Sequence, residues 1–248
     1  MNELVLVEPF LKGNAVALIK EGKVQDFFAD FDDSSLKLVG ATFVGEVDRF
    51  SKASNACFVK LPGNQWGFLR KTKGISSGDM LLLQSRSFSP KDKALVVSSN
   101  IAFRGRYVVI TPKIKRIAVS RQILGKDLRD ALICLADEYQ EIKDKKFGII
   151  FRSICEQASF QEIKEDIEKQ LKRFNNVSII KPTNLSIMEN APKTLERAKQ
   201  EWHILENEEL IDSPQCFDIF SVWEQVLALR KIYVGLPCGG NISIESTQ

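Results

Sequence analysis

Between residues 36 and 103 the chain is built from short apolar runs separated by turn signals. The runs are "LVGATFVGEVDRF", "NACFVKL", "WGFLRKT", "MLLLQSRSF" and "ALVVSSNIAF". Between them stand "KAS", "PGNQ", "KGISSGD" and "SPKD". Five short strands at a spacing of about ten residues suggest a small barrel. A barrel of the OB type presents one strand face to a single-stranded nucleic acid. Phe58 and Phe68 lie on runs joined by the turn "LPGNQWG", so they can share a face. Exposed aromatics on such a face stack on bases, each worth about 1–3 kcal/mol. The residues alone leave two readings open: a stacking pair, or two core side chains.

The flanks have a different character. Residues 3–30 hold "ELVLVEP", "NAVALIK" and, after the tight turn "EGK", "VQDFFADF". They read as a small antiparallel meander. Residues 105–182 read as a compact α/β unit: strand "GRYVVITP", helix "DLRDALICLADEYQEIKDK", strand "FGIIFRS", a second helix and strand "VSIIKP". Ser159 and Glu162 have capping-box spacing at the start of that second helix, and Ile163, Ile167, Leu171 and Phe174 line one face. Residues 183–234 look mainly helical, over 191–206 and 216–230, with a break at "NEELIDSP". The last stretch, "LPCGGNISIESTQ", reads as a glycine turn feeding a strand. The residues alone leave open whether the strand ends at Gln248 or continues.

Composition narrows the function classes. Hydrophobic residues make up 44% of the 248-residue chain, enough for a substantial core. No stretch approaches the roughly 18–20 apolar residues of a membrane helix. The start "MNELVLVEPF" lacks the basic region and long apolar run of a signal peptide, so the expectation is cytoplasmic. Five scattered cysteines with no CxxC pair point to buried or indifferent thiols, not to a disulfide framework or zinc site. One histidine, His203, excludes every mechanism that needs two, and its helical context points to a helix-face side chain. Net charge is only +3, but residues 93–126 contain no Asp or Glu. They carry Lys93, Arg104, Arg106, Lys113, Lys115, Arg116, Arg121 and Lys126. Average composition would put about four acids there. Such a local field attracts phosphate, although a plain basic surface has the same composition. No Walker-type phosphate loop and no GxGxxG is present.

The order of these parts, with several of their words, resembles the ribonuclease E/G family. "VGATFVGEVDRFSKASNACFVKLPGNQWGFL" is similar to the start of that family's barrel, with its "AAFV" and "GFL" strands. "KALVVSSNIAFRGRYVVITP" is similar to the barrel's exit and the "GRYLVLMP"-like strand after it. "VSRQI" resembles "SRRI", "FGIIFRS" resembles "GLIVRT", and "LPCGGNISIESTQ" resembles "LPSGGxLVIExTEAL". The likeness runs from residue 3 to residue 248.

The resemblance implies an α+β fold: an RNase H-like subdomain interrupted by an inserted five-stranded OB-fold barrel and an α/β 5′-phosphate sensor. Residues 1–35 would open the RNase H-like part, 36–104 form the barrel, 105–182 the sensor-like unit, and 183–248 the second, incomplete RNase H-like part. Phe58, Phe68 and Lys93 would contact RNA. Arg152 and Ser153 would grip a 5′ monophosphate: a guanidinium holds phosphate oxygens in bidentate fashion, and a hydroxyl adds one hydrogen bond. The following "ICEQAS" departs from the family, which usually carries a glycine there.

The family's chemistry uses magnesium held by aspartates beyond the position matched by Gln248. No catalytic or metal-binding residue is therefore assigned in this chain, and the role is not moved onto Asp212 or Asp218. The expected function is the RNA-binding portion of a magnesium-dependent endoribonuclease acting on single-stranded RNA in processing or decay, itself inactive alone. The alternatives are a non-catalytic RNA-binding protein using the same barrel and sensor, and a basic surface for ribosomal RNA or a protein partner. The expected partner is single-stranded RNA with a 5′-monophosphate end. No membrane is implied and no oligomeric state is assigned.

Overall fold

The first three strands form because two tight turns supply left-handed positions between apolar runs. β1 (Glu3–Phe10) turns at Leu11 into β2 (Gly13–Lys20), and β2 turns at Glu21 and Gly22 into β3 (Lys23–Ala29). Glu21 and Gly22 have φ of 51° and 75°, the geometry of a two-residue hairpin turn whose twist suits the strands it joins. The computed structural model describes residues 3–30, 39–51, 55–70, 73–87, 93–144, 146–178, 181–202, 210–228, 233–235 and 239–243. His203, Cys238 and Ile244 to Gln248 lie outside them. The chain divides into two units: Met1–Asp32 with Lys193–Gln248, and Asp33–Pro192.

The second unit contains the barrel. Its strands are β4 (Thr42–Ser51), β5 (Ala56–Leu61), β6 (Gln65–Arg70), β7 (Met80–Ser85) and β8 (Leu95–Ser98). Their order is β4-β5-β6-β8-β7, and β7 pairs back with β4, so the sheet closes. β6 and β8 run parallel, and the other pairs are antiparallel. This is the strand order of a five-stranded OB-type barrel. The β5–β6 turn holds Gly63 and Asn64 at φ of 72° and 57°, so the "PGNQ" signal does what its residue types predict.

Phe43, Val47, Cys57, Val59, Leu61, Leu69, Leu83, Leu95 and Val97 fill the barrel interior. Each large aliphatic buried there stabilises by about 1.5–3 kcal/mol. The interior is narrow where β4 meets β5. A Cβ at Gly45 would lie 2.7 Å from Val59 Cγ1 and 3.0 Å from the Lys60 carbonyl oxygen.

The α/β part of this unit adds β9 (Phe103–Arg104), β10 (Val108–Thr111), β11 (Ile117–Val119), α1 (Lys126–Ala136), α2 (Gln140–Lys143), β12 (Gly148–Phe151) and α3 (Phe160–Ser178). The sheet order is β11-β12-β10-β9, with β11 parallel to β12. Gly148 is obligatory: a Cβ there would sit 1.9 Å from the carbonyl oxygen of Ile114. The capping box forms as its spacing predicts. Ser159 donates from its amide and its hydroxyl to Glu162 Oε2, both at 2.7 Å, and the Glu162 amide donates back to the Ser159 hydroxyl at 3.2 Å.

Two sequence expectations change here. "VSIIKP" is not a strand at its start, because Val177 and Ser178 belong to the last turn of α3, where Val177 is buried. Residues 186–189, expected within a helical segment, form β13 (Ser186–Glu189), which pairs antiparallel with Thr42–Val44 of β4 on the edge opposite β7.

In the first unit, α4 (Thr194–Glu201), β14 (Leu210–Asp212), α5 (Cys216–Ile219) and α6 (Val222–Ala228) join the meander. β14 pairs parallel with β1, so the "NEELIDSP" break is partly a strand. The sheet is covered on both faces, which is why "LVLV" is apolar throughout. Leu6, Ala17 and Ile19 pack with Phe217 and Val222 on one side. Val5, Val7 and Val16 pack with Ala198 of α4 on the other. The expected 216–230 helix breaks at Ser221, whose φ is 50°. The terminal strand β16 (Asn241–Ser243) pairs antiparallel with β15 (Tyr233–Gly235), so its neighbour precedes it in the chain.

Candidate nucleic-acid interface

On β5 the inward residues are Cys57 and Val59, and on β6 they are Gly67 and Leu69. The alternation of a strand then turns Phe58 and Phe68 to the outside of the barrel. Both are half-buried and neither belongs to the interior cluster. They are directly opposite each other in the β5–β6 register, with ring centroids 5.7 Å apart in a T-shaped arrangement. An edge-to-face pair is favourable in itself and keeps ring face available to a further aromatic group.

The same row continues on both sides. Arg49 of β4 is opposite Phe58, and Val96 of β8, 36% exposed, is opposite Phe68. Arg49 reaches this position through a bulge. Val47 pairs with Val59 and Arg49 with Phe58, so Asp48 is an extra residue on β4. The Arg49 guanidinium carbon lies 4.9 Å from the Phe58 ring centroid and 5.7 Å from that of Trp66. Trp66 is 40% exposed. Lys60, opposite Trp66, is bonded to Asp48 at 3.1 Å, and this hydrogen bond raises its pKa above the ordinary lysine value. Lys93 is exposed two residues before β8, the strand beside Phe68.

Sequence reasoning missed Arg49 and Trp66. Trp66 was within reach, since it stands two residues from Phe68 and so shares its face. Arg49 was not, because nothing in "GEVDRF" announces the bulge.

Arg152 follows β12 and caps a short 3-10 turn that Ser153 opens, over Ser153–Gln157. The Arg152 amide donates to the Tyr107 carbonyl at 2.8 Å. Its Nη1 donates to the carbonyls of Gly105 at 2.9 Å and Arg106 at 3.1 Å. The guanidinium is thus held against the loop that leads into β10. That loop is itself fixed from α3, where buried Asp166 accepts from the amides of Tyr107 at 2.7 Å and Val108 at 3.1 Å. Gln170 donates to the other oxygen of Asp166 at 2.8 Å. Below the Arg152–Ser153 turn, Cys155 is buried and donates to the Tyr107 carbonyl at 3.3 Å; burial pushes its pKa up to about 12. This thiol is inert packing, as expected for a scattered cysteine.

Of the acid-free basic stretch, Lys93, Arg104, Lys113, Lys115, Arg116, Arg121 and Lys126 are exposed, and Arg106 is half-buried. Among the described residues, no three of His, Cys, Asp and Glu come together to hold a metal ion. Asp212 and Asp218 are both exposed. Among the described residues no helix is long and apolar enough to cross a membrane.

Residues 102–211 match the Ribonuclease E/G family model. A "Ribonuclease E/G-like protein" of Porphyra purpurea is 29% identical over 130 residues, covering 46% of this chain and 25% of its own length. A "Ribonuclease E" of Synechocystis sp. is 26% identical over 175 residues, covering 64% of this chain and 25% of its own length. The chain thus spans about a quarter of the length of these two curated relatives. A solved multidomain protein with nucleic acid binding domains from Streptococcus pneumoniae is 14% identical, with 74% of this chain and 61% of that one covered at a TM-score of 0.23, too low to bear on the fold. The matched segment takes in β10, Arg152, Asp166 and part of β14, and over it this chain is similar to the ribonuclease E/G family.

Proposed function

We propose that this chain is the RNA-holding portion of a ribonuclease E/G-type endoribonuclease that acts on single-stranded RNA in the cytoplasm during RNA processing or decay. Bases stack on Phe58 and Phe68, Lys93 supplies charge beside them, and Arg152 with Ser153 grips a 5′ monophosphate. The flanking sheet-and-helix unit is an RNase H-like part of the fold, and the α/β unit is the sensor. In the whole protein a bound magnesium ion would supply an activated water and charge neutralisation at the scissile phosphate, and no residue described here is assigned to it.

One observation carries the reading: two phenylalanines paired at 5.7 Å on the outside of an OB-type barrel, next to an arginine and not in the interior. Two half-exposed aromatics on a strand face contribute little to a core, whereas stacking is worth about 1–3 kcal/mol per base. The test is fluorescence anisotropy with labelled single-stranded RNA. Phe58→Ala and Phe68→Ala should each weaken binding about tenfold with the fold intact by circular dichroism. Unchanged affinity in both variants sinks the reading and leaves a basic surface for another partner. Cleavage of labelled RNA by this chain in magnesium, abolished by chelator, would overturn the assignment of the chemistry elsewhere.

A further inference from the structure

We infer that Trp66 and Arg49 form a second base-stacking subsite, one nucleotide along the strand from the Phe58–Phe68 pair, so that the barrel face holds two successive bases. This rests on the reading of that pair as an RNA platform.

Trp66 and Phe68 are outward residues two apart on β6. A strand rises about 3.4 Å per residue, so their side chains leave the sheet about 6.8 Å apart. That is twice the roughly 3.4 Å rise of stacked bases. Two bases seated there are unstacked from each other, and each has its own ring to lie on, the arrangement by which splayed single strands are held. Gly67, between them in the chain, faces inward, where a Cβ would lie 3.1 Å from Val97 Cγ2.

Arg49 joins the two positions. Its guanidinium carbon lies within 6 Å of both the Phe58 and Trp66 ring centroids. Its plane offers a second stacking surface and its N–H groups can reach the phosphate between two bases. Lys60, though opposite Trp66, is compensated by Asp48 at 3.1 Å. Among the described residues Arg49 is in no ion pair, so it is the positive charge available beside the tryptophan. An indole 40% exposed beside a guanidinium fits a flat polarisable ligand rather than a saturated one.

The experiment measures binding of 5′-hydroxyl oligouridylates of increasing length, so that no terminal phosphate contributes, to wild-type chain, Trp66→Leu, Trp66→Phe and Phe58→Ala. Trp66→Leu keeps the apolar volume without a ring face. It should weaken binding about tenfold and shorten by one nucleotide the length at which affinity stops rising. Trp66→Phe should stay within about threefold of wild type. Arg49→Lys, which keeps charge and loses the plane, should also weaken binding. If Trp66→Leu binds like wild type while Phe58→Ala is impaired, the second subsite is wrong and the first stands. If neither variant is impaired, the stacking platform fails and the inference falls with it. If Trp66→Leu and Trp66→Phe are equally impaired, shape at this position matters and ring stacking does not, which also overturns it.

Discussion

The carboxylate of Asp166 occupies the space beside Gly105: a Cβ at residue 105 would lie 2.3 Å from both of its oxygens. One of those oxygens accepts from the amides of Tyr107 and Val108. A glycine and a buried acid 61 positions apart thus define one loop, and the carbonyls of that loop hold Arg152.

This pair is therefore expected to be sensitive from both sides. Gly105→Ala forces the carboxylate out of place, and Asp166→Ala leaves two backbone amides and the Gln170 side chain without their acceptor. Each should lower unfolding free energy by about 2–4 kcal/mol in urea titration. Wild-type midpoints in both would contradict the packing described.

Arg152→Ala addresses the proposed sensor. Wild-type chain should prefer 5′-monophosphorylated over 5′-hydroxyl RNA, and the variant should lose that preference, a change of about tenfold for one charge-assisted contact. Competition between the two RNAs measures it. An equal preference before and after the change removes Arg152 from the role.

RNA affinity should fall steeply with salt. Each phosphate neutralised on a single strand contributes about −0.7 to the slope of log affinity against log salt. With roughly three phosphates engaged, affinity drops about 15–20-fold between 50 and 200 mM salt. Anisotropy titrations across that range check it, and a flat response counts against the exposed basic surface.

Cys155 gives a pH signature. Its pKa rises from 9.0 to about 12 on folding because burial disfavours the thiolate. Above pH 9 the unfolded chain releases the proton and the folded chain keeps it. The stabilisation is complete below pH 9 and is lost as pH climbs toward 12, by up to about 1.4 kcal/mol per unit. Cys155→Ala should lower stability at neutral pH yet flatten the decline between pH 9 and 11, measured by denaturation at several pH values. A parallel decline in both chains would refute the assignment.

Much of this was legible in the chain because it is local. The five barrel runs, the Gly63–Asn64 and Glu21–Gly22 turns and the Ser159–Glu162 cap each depend on residues within a few positions of one another, and all formed. The missed strands β13 and β14 are three or four residues long and exist only through partners more than 140 positions away, Val44 for Ser186 and Val5 for Leu210. The buried Asp166 and Gln170 sit on a helix whose apolar stripe was read correctly, yet no periodicity marks a carboxylate that will cap a distant loop.

For the aromatic pair, sequence determined that Phe58 and Phe68 share a face, since one short turn sets their register. It did not determine which face. "ACFVKL" is apolar on both sides of the pleat at its centre, so alternation alone could not separate Cys57 and Val59 from Phe58. The closed barrel decided it: Cys57 and Val59 pack in the interior with Phe43, Leu69 and Leu83, and the rings of Phe58 and Phe68 are left outside. The bulge at Asp48 then set Arg49 against Phe58, a placement that depends on two strands meeting out of step and has no signature in either strand alone.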